Sequence, residues 1–441
     1  MKQYDALIIG GGILGCFAAR NLRRWKISTL LLEKEDDVCK GITRANSAIC
    51  YAGYDNKPGS LKAAMTVRGN ANMEALCRDL DVPFSRCGSL LVTYDESAVG
   101  KLERKYQNGL KNGVPDMKLL SGKEAEAMEP MLRPGVAAAL YAPSTGTVNP
   151  WQLGIAAYEN ALQNGAKAML DTEVLGIRKA DRGYLVETEK ETYLCKTVLN
   201  CAGLFADRVQ EMVFEPSIRL KLDGAEYIVF DTQAQKPSRV IFHQAESCGK
   251  GITAIPCTEG NLLISGTRKP LTEPFATTRQ GLLELHAASN ELLPDLDLSK
   301  IIRSFGAVRP NPHRENGESI NDYSIENPGP GFYSLIGIKT PGLTCANELG
   351  LYLAEHTAAY LQAEENPQFD PRRSGIQVKD HEIICQCEEI SRAQILEAIH
   401  RGARTVDAVK RRVGSGMGRC QGSRCSLKIE KLLEDAKHGK L

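Results

Sequence analysis

Three glycines, Gly10, Gly12 and Gly15, follow a short apolar run and open a helical one in DALIIGGGILGCFAARNLRRW. In G-x-G-x-x-G spacing the first glycine allows a tight turn and the second lets a pyrophosphate approach the backbone. The third lets helix and strand pack closely. Free N–H groups at the helix start then face the phosphates. A second apolar run, ISTLLLEK, ends on Glu33, 18 residues after Gly15, where an acid binds ribose hydroxyls. The combination predicts a βαβ unit that holds a dinucleotide. By itself it does not separate NAD from FAD.

The same strand–turn–helix grammar returns in VLNCAGLFADRVQEM and in GFYSLIGIKTPGLTCANELGLYLAEHTAAYL. Between the returns lie short strand-like runs such as GSLLVTY, AEYIVFD and GNLLISG. The expected architecture is therefore α/β. A Rossmann-like parallel-sheet domain (residues 1–85, 146–210 and 301–363) is interrupted by a mostly antiparallel β cap (86–145 and 211–300). Residues 364–379, polar and proline-containing, read as a linker. Residues 380–441 read as a small helical domain. Its first helix starts with a Ser391–Gln394 capping box, a second starts at Thr405, and SLKIEKLLEDA closes the chain.

Charge and hydropathy narrow the partners. Lys plus Arg total 55 against 54 for Asp plus Glu, which gives no global pull toward nucleic acid or an anionic membrane. No apolar run reaches the roughly 18 residues of a membrane span. MKQYDALIIGGG reads as a strand entering a turn, without the charged leader and cleavage site of an export signal. The expected compartment is the cytoplasm, where cysteines persist as thiols. Cys16, Cys77, Cys195 and Cys201 then read as small buried hydrophobes.

GITRANSAICYAGYDNKPGSLKA (41–63), VLNCAGLFAD (198–207) and GIKTPGLTCANELG (337–350) resemble flavoproteins of the D-amino-acid-oxidase superfamily. The branch they resemble contains L-2-hydroxyglutarate oxidases and dehydrogenases and the anaerobic-type glycerol-3-phosphate dehydrogenase catalytic subunit. The resemblance implies FAD. Thr43, Asn46 and Ser47 offer short polar side chains to the flavin and its phosphates. Ala202 and Gly203 leave space at a strand end for the adenosine part. Pro341, Gly342, Leu343 and Thr344 read as a helix start whose positive dipole end faces the flavin. Ile13, Leu14, Lys34 and Val174 complete the expected cofactor contacts.

Hydride transfer to flavin needs the substrate held over the ring, so an anionic substrate needs anchors. Arg309 in SFGAVRP and Lys339 in GIKTPG are the candidates. The resemblance gives the arginine a substrate carboxylate or phosphate and places Lys339 near the flavin. An arginine fork matches an oxyanion with two bonds. Oxidising an alcohol also needs a base. Relatives carry N-S-x-x-x-H in the flavin loop, but this chain reads Asn46-Ser47-Ala48-Ile49-Cys50-Tyr51, with no histidine, and Cys50 is a candidate in its place. A thiol is a poor base unless its pKa is lowered. His243 and His313 are the substitutes, and Tyr51 and Tyr54 are further polar groups near the ring. If no base is needed, the substrate is an amine or amino acid.

Near the C-terminus IICQCEE supplies Cys385 and Cys387, and GSGMGRCQGSRC supplies Cys420 and Cys425. Four thiolates suit zinc or an iron–sulfur centre, and the surrounding glycines let N–H groups point at sulfur. The spacing and the phrase GARTVDAVKRRVGSGMGRCQGSRC resemble the bacterioferritin-associated-ferredoxin-like [2Fe–2S] domain. The resemblance thus implies an FAD-dependent dehydrogenase of a small anionic 2-hydroxy acid or polyol phosphate. Electrons leave singly through the cluster to an acceptor or second flavoprotein subunit. The run Lys410-Arg411-Arg412 reads either as a dock for an acidic partner or as a solvated helix face. Two alternatives stay open: an amine or amino-acid dehydrogenase, and a non-catalytic electron-transfer subunit.

Overall fold

The computed structural model describes residues 2–244, 251–266, 269–270 and 273–440. The glycine turn joins strand β1 (Lys2–Ile9) to helix α1 (Ile13–Leu22), which leads to strand β2 (Thr29–Leu32). All four residues of β2 and the last four of β1 are buried, as expected for central parallel strands covered on both faces. β1 pairs in parallel with β2 and with Thr192–Asn200, which pairs in parallel with Phe332–Ile336. Lys167–Met169 extends the sheet beyond β2. One parallel sheet is thus assembled from segments far apart in sequence. On one face, α1 packs between helices Pro150–Gln163 and Ala346–Leu361.

The cap is a nine-stranded sheet. It departs from expectation at one boundary. Strand Ile301–Arg314, expected to open the last piece of the dinucleotide domain, pairs antiparallel with Ile218–Phe230 along its whole length. The cap therefore runs on to Arg314. That pairing brings Arg309 opposite Asp223 and Asn311 opposite Lys221.

Residues 364–379 carry little regular structure, yet they are pinned to the dinucleotide domain. Asn160 Nδ2 donates to the carbonyls of Asp370 and Arg372 at 3.1 and 3.0 Å. Arg20 Nη2 donates to Pro371 O at 2.9 Å, and Arg373 pairs with the nearly buried Glu159 at 2.6 Å. The segment is a strap, not a tether.

Beyond it, helices Arg392–His400, Val406–Val413 and Ser426–Lys437 enclose a core of their own around Ile395, Val409 and Ile429. The Ser391–Gln394 capping box is present, and Thr405 Oγ1 accepts from Ala408 N–H. Both readings of the basic run need correcting at two of its three positions. The side chains of Arg411 and Arg412 are 5% and 2% exposed and both pair with Asp37. They are an internal contact between domains, neither solvated nor open to a partner. None of the described helices is long and apolar enough to cross a membrane.

Candidate active site and cysteine cluster

The glycine turn has the geometry a pyrophosphate needs. Gly10 adopts φ +102°, and a Cβ there would lie 2.6 Å from the carbonyl oxygen of Cys201. A Cβ on Gly15 would overlap the Gly10 carbonyl oxygen. Above Gly12 the space is open, with only Thr43 Oγ1 at 3.6 Å. Gly12 caps α1 without a side-chain bond, and the Ile13 N–H donates to Thr43 Oγ1 at 3.0 Å. Glu33 accepts from the N–H groups of Gly11 at 2.5 Å and Glu35 at 2.9 Å. Burial raises its pKa, and those two donors oppose the rise.

A cavity of about 540 Å³ opens from this turn. Ile13, Leu14, Glu33, Lys34, Ala202 and Gly203 line it, together with Asn46, Ser47, Pro341, Gly342 and Leu343. The Asn46 side chain shapes its own loop, accepting from Ala48 N–H at 2.8 Å and donating to Thr43 O at 2.9 Å. Thr344 sits behind the wall, fully buried, and its Oγ1 accepts from Tyr51 N–H at 3.0 Å. The helix expected to begin at Pro341 begins at Ala346, after a turn in which Cys345 N–H bonds Pro341 O at 3.2 Å. Val174 lies outside the cavity, in the apolar cluster with Leu7, Leu30 and Val198. The open glycine turn, the acid at the strand end and the long cavity fit FAD. The residues that would hold it are those of the turn, Glu33, Thr43, Ser47 and the 341–343 segment.

A second cavity, about 650 Å³, shares Tyr51, Arg309 and Lys339 with the first. Among the described residues five cations line it, Lys62, Lys105, Lys221, Arg309 and Lys339, against two carboxylates, Asp55 and Asp223. Lys105 is paired with Asp55. Lys339 Nζ donates to Asn311 Oδ1 at 3.3 Å, and Asn311 Nδ2 donates to Asp223 Oδ2 at 3.0 Å. Among the described residues the Arg309 guanidinium has no hydrogen-bond or ion-pair partner. Burial pushes the Lys62 ammonium below its ordinary value.

The candidate bases separate. Cys50 is fully buried and lines neither cavity, and burial pushes its thiol up to about 12. A thiol so placed stays protonated and out of reach. Tyr51 and Tyr54 line the second cavity, but burial raises both, Tyr51 to about 12. Both phenols remain protonated at neutral pH. Ser47 Oγ lies 3.3 Å from the Tyr51 hydroxyl, tying the flavin loop to the second cavity. His243 and His313 both line that cavity; His243 meets Tyr94 edge-on at 5.7 Å, and His313 Nδ1 lies 2.9 Å from Asn311 O.

Sequence reasoning missed Lys62, Lys105, Lys221 and Asn311. Lys62 stood in the KPGSLKA phrase, but Lys221 and Asn311 meet only through strand pairing across 90 residues.

In the tail the four cysteines fall into two pairs. Cys387 Sγ and Cys420 Sγ are 3.4 Å apart. Cys425 lies against Cys385, and both are buried. The Gly416 N–H donates to Cys385 Sγ at 3.4 Å. Among the described residues no group of three or more Cys, His, Asp or Glu is arranged to hold one metal ion. A binuclear cluster takes two thiolates per iron. Two pairs suit the cluster. All described cysteines are free of disulfides.

Known proteins agree with this geometry. The "FAD dependent oxidoreductase" family profile matches residues 5–356, and the "BFD-like [2Fe-2S] binding domain" matches residues 383–435. Glycerol 3-phosphate dehydrogenase of Caloramator mitchellensis is 38% identical over 98% of this chain and 94% of its own. Human mitochondrial L-2-hydroxyglutarate dehydrogenase is 32% identical over 48% of each chain. Among solved structures, dithionite-reduced L-alpha-glycerophosphate oxidase from Mycoplasma pneumoniae with FAD bound superposes with a TM-score of 0.78. It is 25% identical, over 85% of this chain and 99% of its own.

Proposed function

The chain belongs to the FAD dependent oxidoreductase family and carries a BFD-like [2Fe-2S] domain behind it; on that premise we propose that its substrate is a small phosphorylated polyol of the glycerol 3-phosphate kind. Its established class is FAD-dependent oxidation of a hydroxy compound. The observation that carries the finer reading is the excess of cations in the second cavity, five against two. A phosphate monoester is a compact dianion, and it recovers the desolvation cost of an enclosed site only where several cations meet it. Arg309 and Lys339 stand where both cavities meet. They orient the anion so that the carbinol carbon points toward the flavin side.

When bound, FAD supplies the hydride acceptor; the chain's own groups bind the anion, orient the alcohol and take its proton. We assign the proton to His313. With Nδ1 bonded to the Asn311 carbonyl, the ring is held in the tautomer that leaves Nε2 unprotonated and able to accept. His313→Gln is expected to slow flavin reduction by about a hundredfold, the low end for a positioned base, with little change in FAD content. Rapid-mixing absorbance checks it; wild-type rates in that variant move the role to His243.

The functional reading is tested by anaerobic flavin bleaching with sn-glycerol 3-phosphate, L-2-hydroxyglutarate and a set of amino acids. The expected result is bleaching by glycerol 3-phosphate at the lowest concentration. Bleaching by amino acids alone overturns it.

A further inference from the structure

Contacts between the cysteine-bearing domain and the rest of the chain include one centred on the buried Asp37 and one at the exposed cluster loop, beside Arg401–Glu159 at 3.3 Å and Arg404–Asp171 at 3.7 Å. In the buried contact, Arg411 donates from Nη1 to Val38 O at 2.6 Å and from Nη2 to Asp37 Oδ2 at 2.8 Å. Arg412 donates to Asp37 Oδ2 at 2.7 Å and to Oδ1 at 3.0 Å. The Asp37 carboxylate is 1% exposed and is the one both arginines share; Arg411 also meets Asp407 at 3.3 Å and Arg412 meets Glu159 at 3.7 Å. Asp37 also lies in the loop that walls the dinucleotide cavity. Lys34, Glu35 and Lys40 on either side line that cavity, and Cys39 N–H bonds Gly11 O at 2.9 Å.

The exposed contact joins the cluster loop to the cap. Arg303 Nη1 donates to Gln421 Oε1 at 3.3 Å, and Arg419 lies 3.8 Å from Asp231. Arg303, Phe305, Ala307 and Arg309 alternate along one face of strand Ile301–Arg314. Ala307 and Arg309 line the flavin cavity. Phe305 stacks on Tyr227 at 4.6 Å between centroids, and Tyr227 lines that cavity too. Cys420, next to Gln421, therefore stands at the end of the sheet face that walls the flavin site. Exposed polar contacts hold a pose weakly. The buried arginines at Asp37 hold it more firmly, with Glu159 as a second anchor for Arg401 and Arg412.

We propose that Asp37 is a positioning residue for electron transfer within the chain, its carboxylate holding the [2Fe–2S] domain docked so that Cys420 stays beside the cap strands that wall the flavin cavity. The inference rests on the reading that substrate electrons leave through the cluster. Each alcohol gives two electrons and a proton as hydride, and its hydroxyl proton goes to the base. The two electrons then cross one at a time, the hydride's proton passes to solvent, and an external one-electron acceptor is reduced twice.

The test uses full-length protein carrying both cofactors, as wild type, Asp37→Asn, Arg411→Gln and the double variant. Each is mixed anaerobically with sn-glycerol 3-phosphate while flavin bleaching and cluster reduction are followed separately. Deuterium exchange over residues 406–413 reports docking directly. Removing one partner of a buried charge pair shifts such an equilibrium by roughly a hundredfold or more, and transfer follows the docked fraction. Flavin bleaching in Arg411→Gln is expected to stay within about twofold of wild type, because that side chain lines neither cavity, and Asp37→Asn is compared at equal FAD content. Cluster reduction slows, by up to about a hundredfold, exchange over 406–413 rises, and the double variant is no slower than either single one. Wild-type cluster reduction in the single variants overturns the proposal alone. A wild-type cluster that stays oxidised while the flavin bleaches overturns the functional reading, and the proposal with it. If Asp37→Asn does not fold, Arg411→Gln, which changes only the tail side of the contact, decides between these outcomes.

Discussion

Arg309→Ala is expected to retain FAD and to lose about a thousandfold in the second-order rate of flavin reduction by substrate. Arg309 sits at the junction of the two cavities, on a strand that Ile218–Phe230 holds along its whole length. Its backbone is thus fixed, while its guanidinium has no hydrogen-bond or ion-pair partner among the described residues. A guanidinium without a partner breaks no existing bond when it meets an anion. Removing one side of an enclosed charge pair costs about 4 kcal/mol, roughly a thousandfold. Arg309→Lys keeps the charge and loses the fork, so it should recover only part of the loss. Rapid-mixing reduction across substrate concentrations measures both variants. Unchanged rates in the alanine variant remove Arg309 from the site.

Cys385→Ser is expected to abolish the cluster and to uncouple the two halves of the reaction. Cys385 is 1% exposed and packs with Ile395, Val409 and Cys425 in the tail's own core. A domain of that size has a small core and little stability to spare, and metal binding there adds folding free energy. The variant should lose its iron and its [2Fe–2S] electron-resonance signal, and its tail should melt earlier. Flavin reduction by substrate should continue at the wild-type rate. Delivery to a one-electron acceptor too bulky for the flavin cavity should fall at least about a hundredfold. Retention of a full cluster signal contradicts the ligand assignment.

What could be read from the sequence was whatever is local. The turn at Gly10–Gly15 is set by neighbours five residues apart, the caps at Ser391 and Thr405 by neighbours three apart, and all three appear as expected. The cysteine pairs carry their own spacing. What escaped depends on distant pairing. Arg411 finds Asp37 across 374 residues, so the basic run looked like surface. Strand Ile301–Arg314 reads as a strand from its residues, but which sheet it joins is decided by its register with Ile218–Phe230. Cys50 is a candidate base by its place in the flavin loop, and only packing reveals that it is sealed behind the cavity wall, with Asn70 Nδ2 3.4 Å from its sulfur, while its neighbour Tyr51 takes the histidine position and lines both cavities. The cations of the second cavity come from separate stretches of the chain, and no single stretch announces them.

Oxidation of a metabolite and one-electron delivery are linked through a single chain. The direct test is anaerobic titration of the protein, isolated without air, with sn-glycerol 3-phosphate while flavin absorbance and the cluster's electron-resonance signal are recorded together. Both centres are expected to be reduced, with completion at about one and a half equivalents, two electrons for FAD and one for the cluster. Flavin bleaching complete at about one equivalent with the cluster still oxidised, or zinc bound by Cys385, Cys387, Cys420 and Cys425, contradicts that linkage.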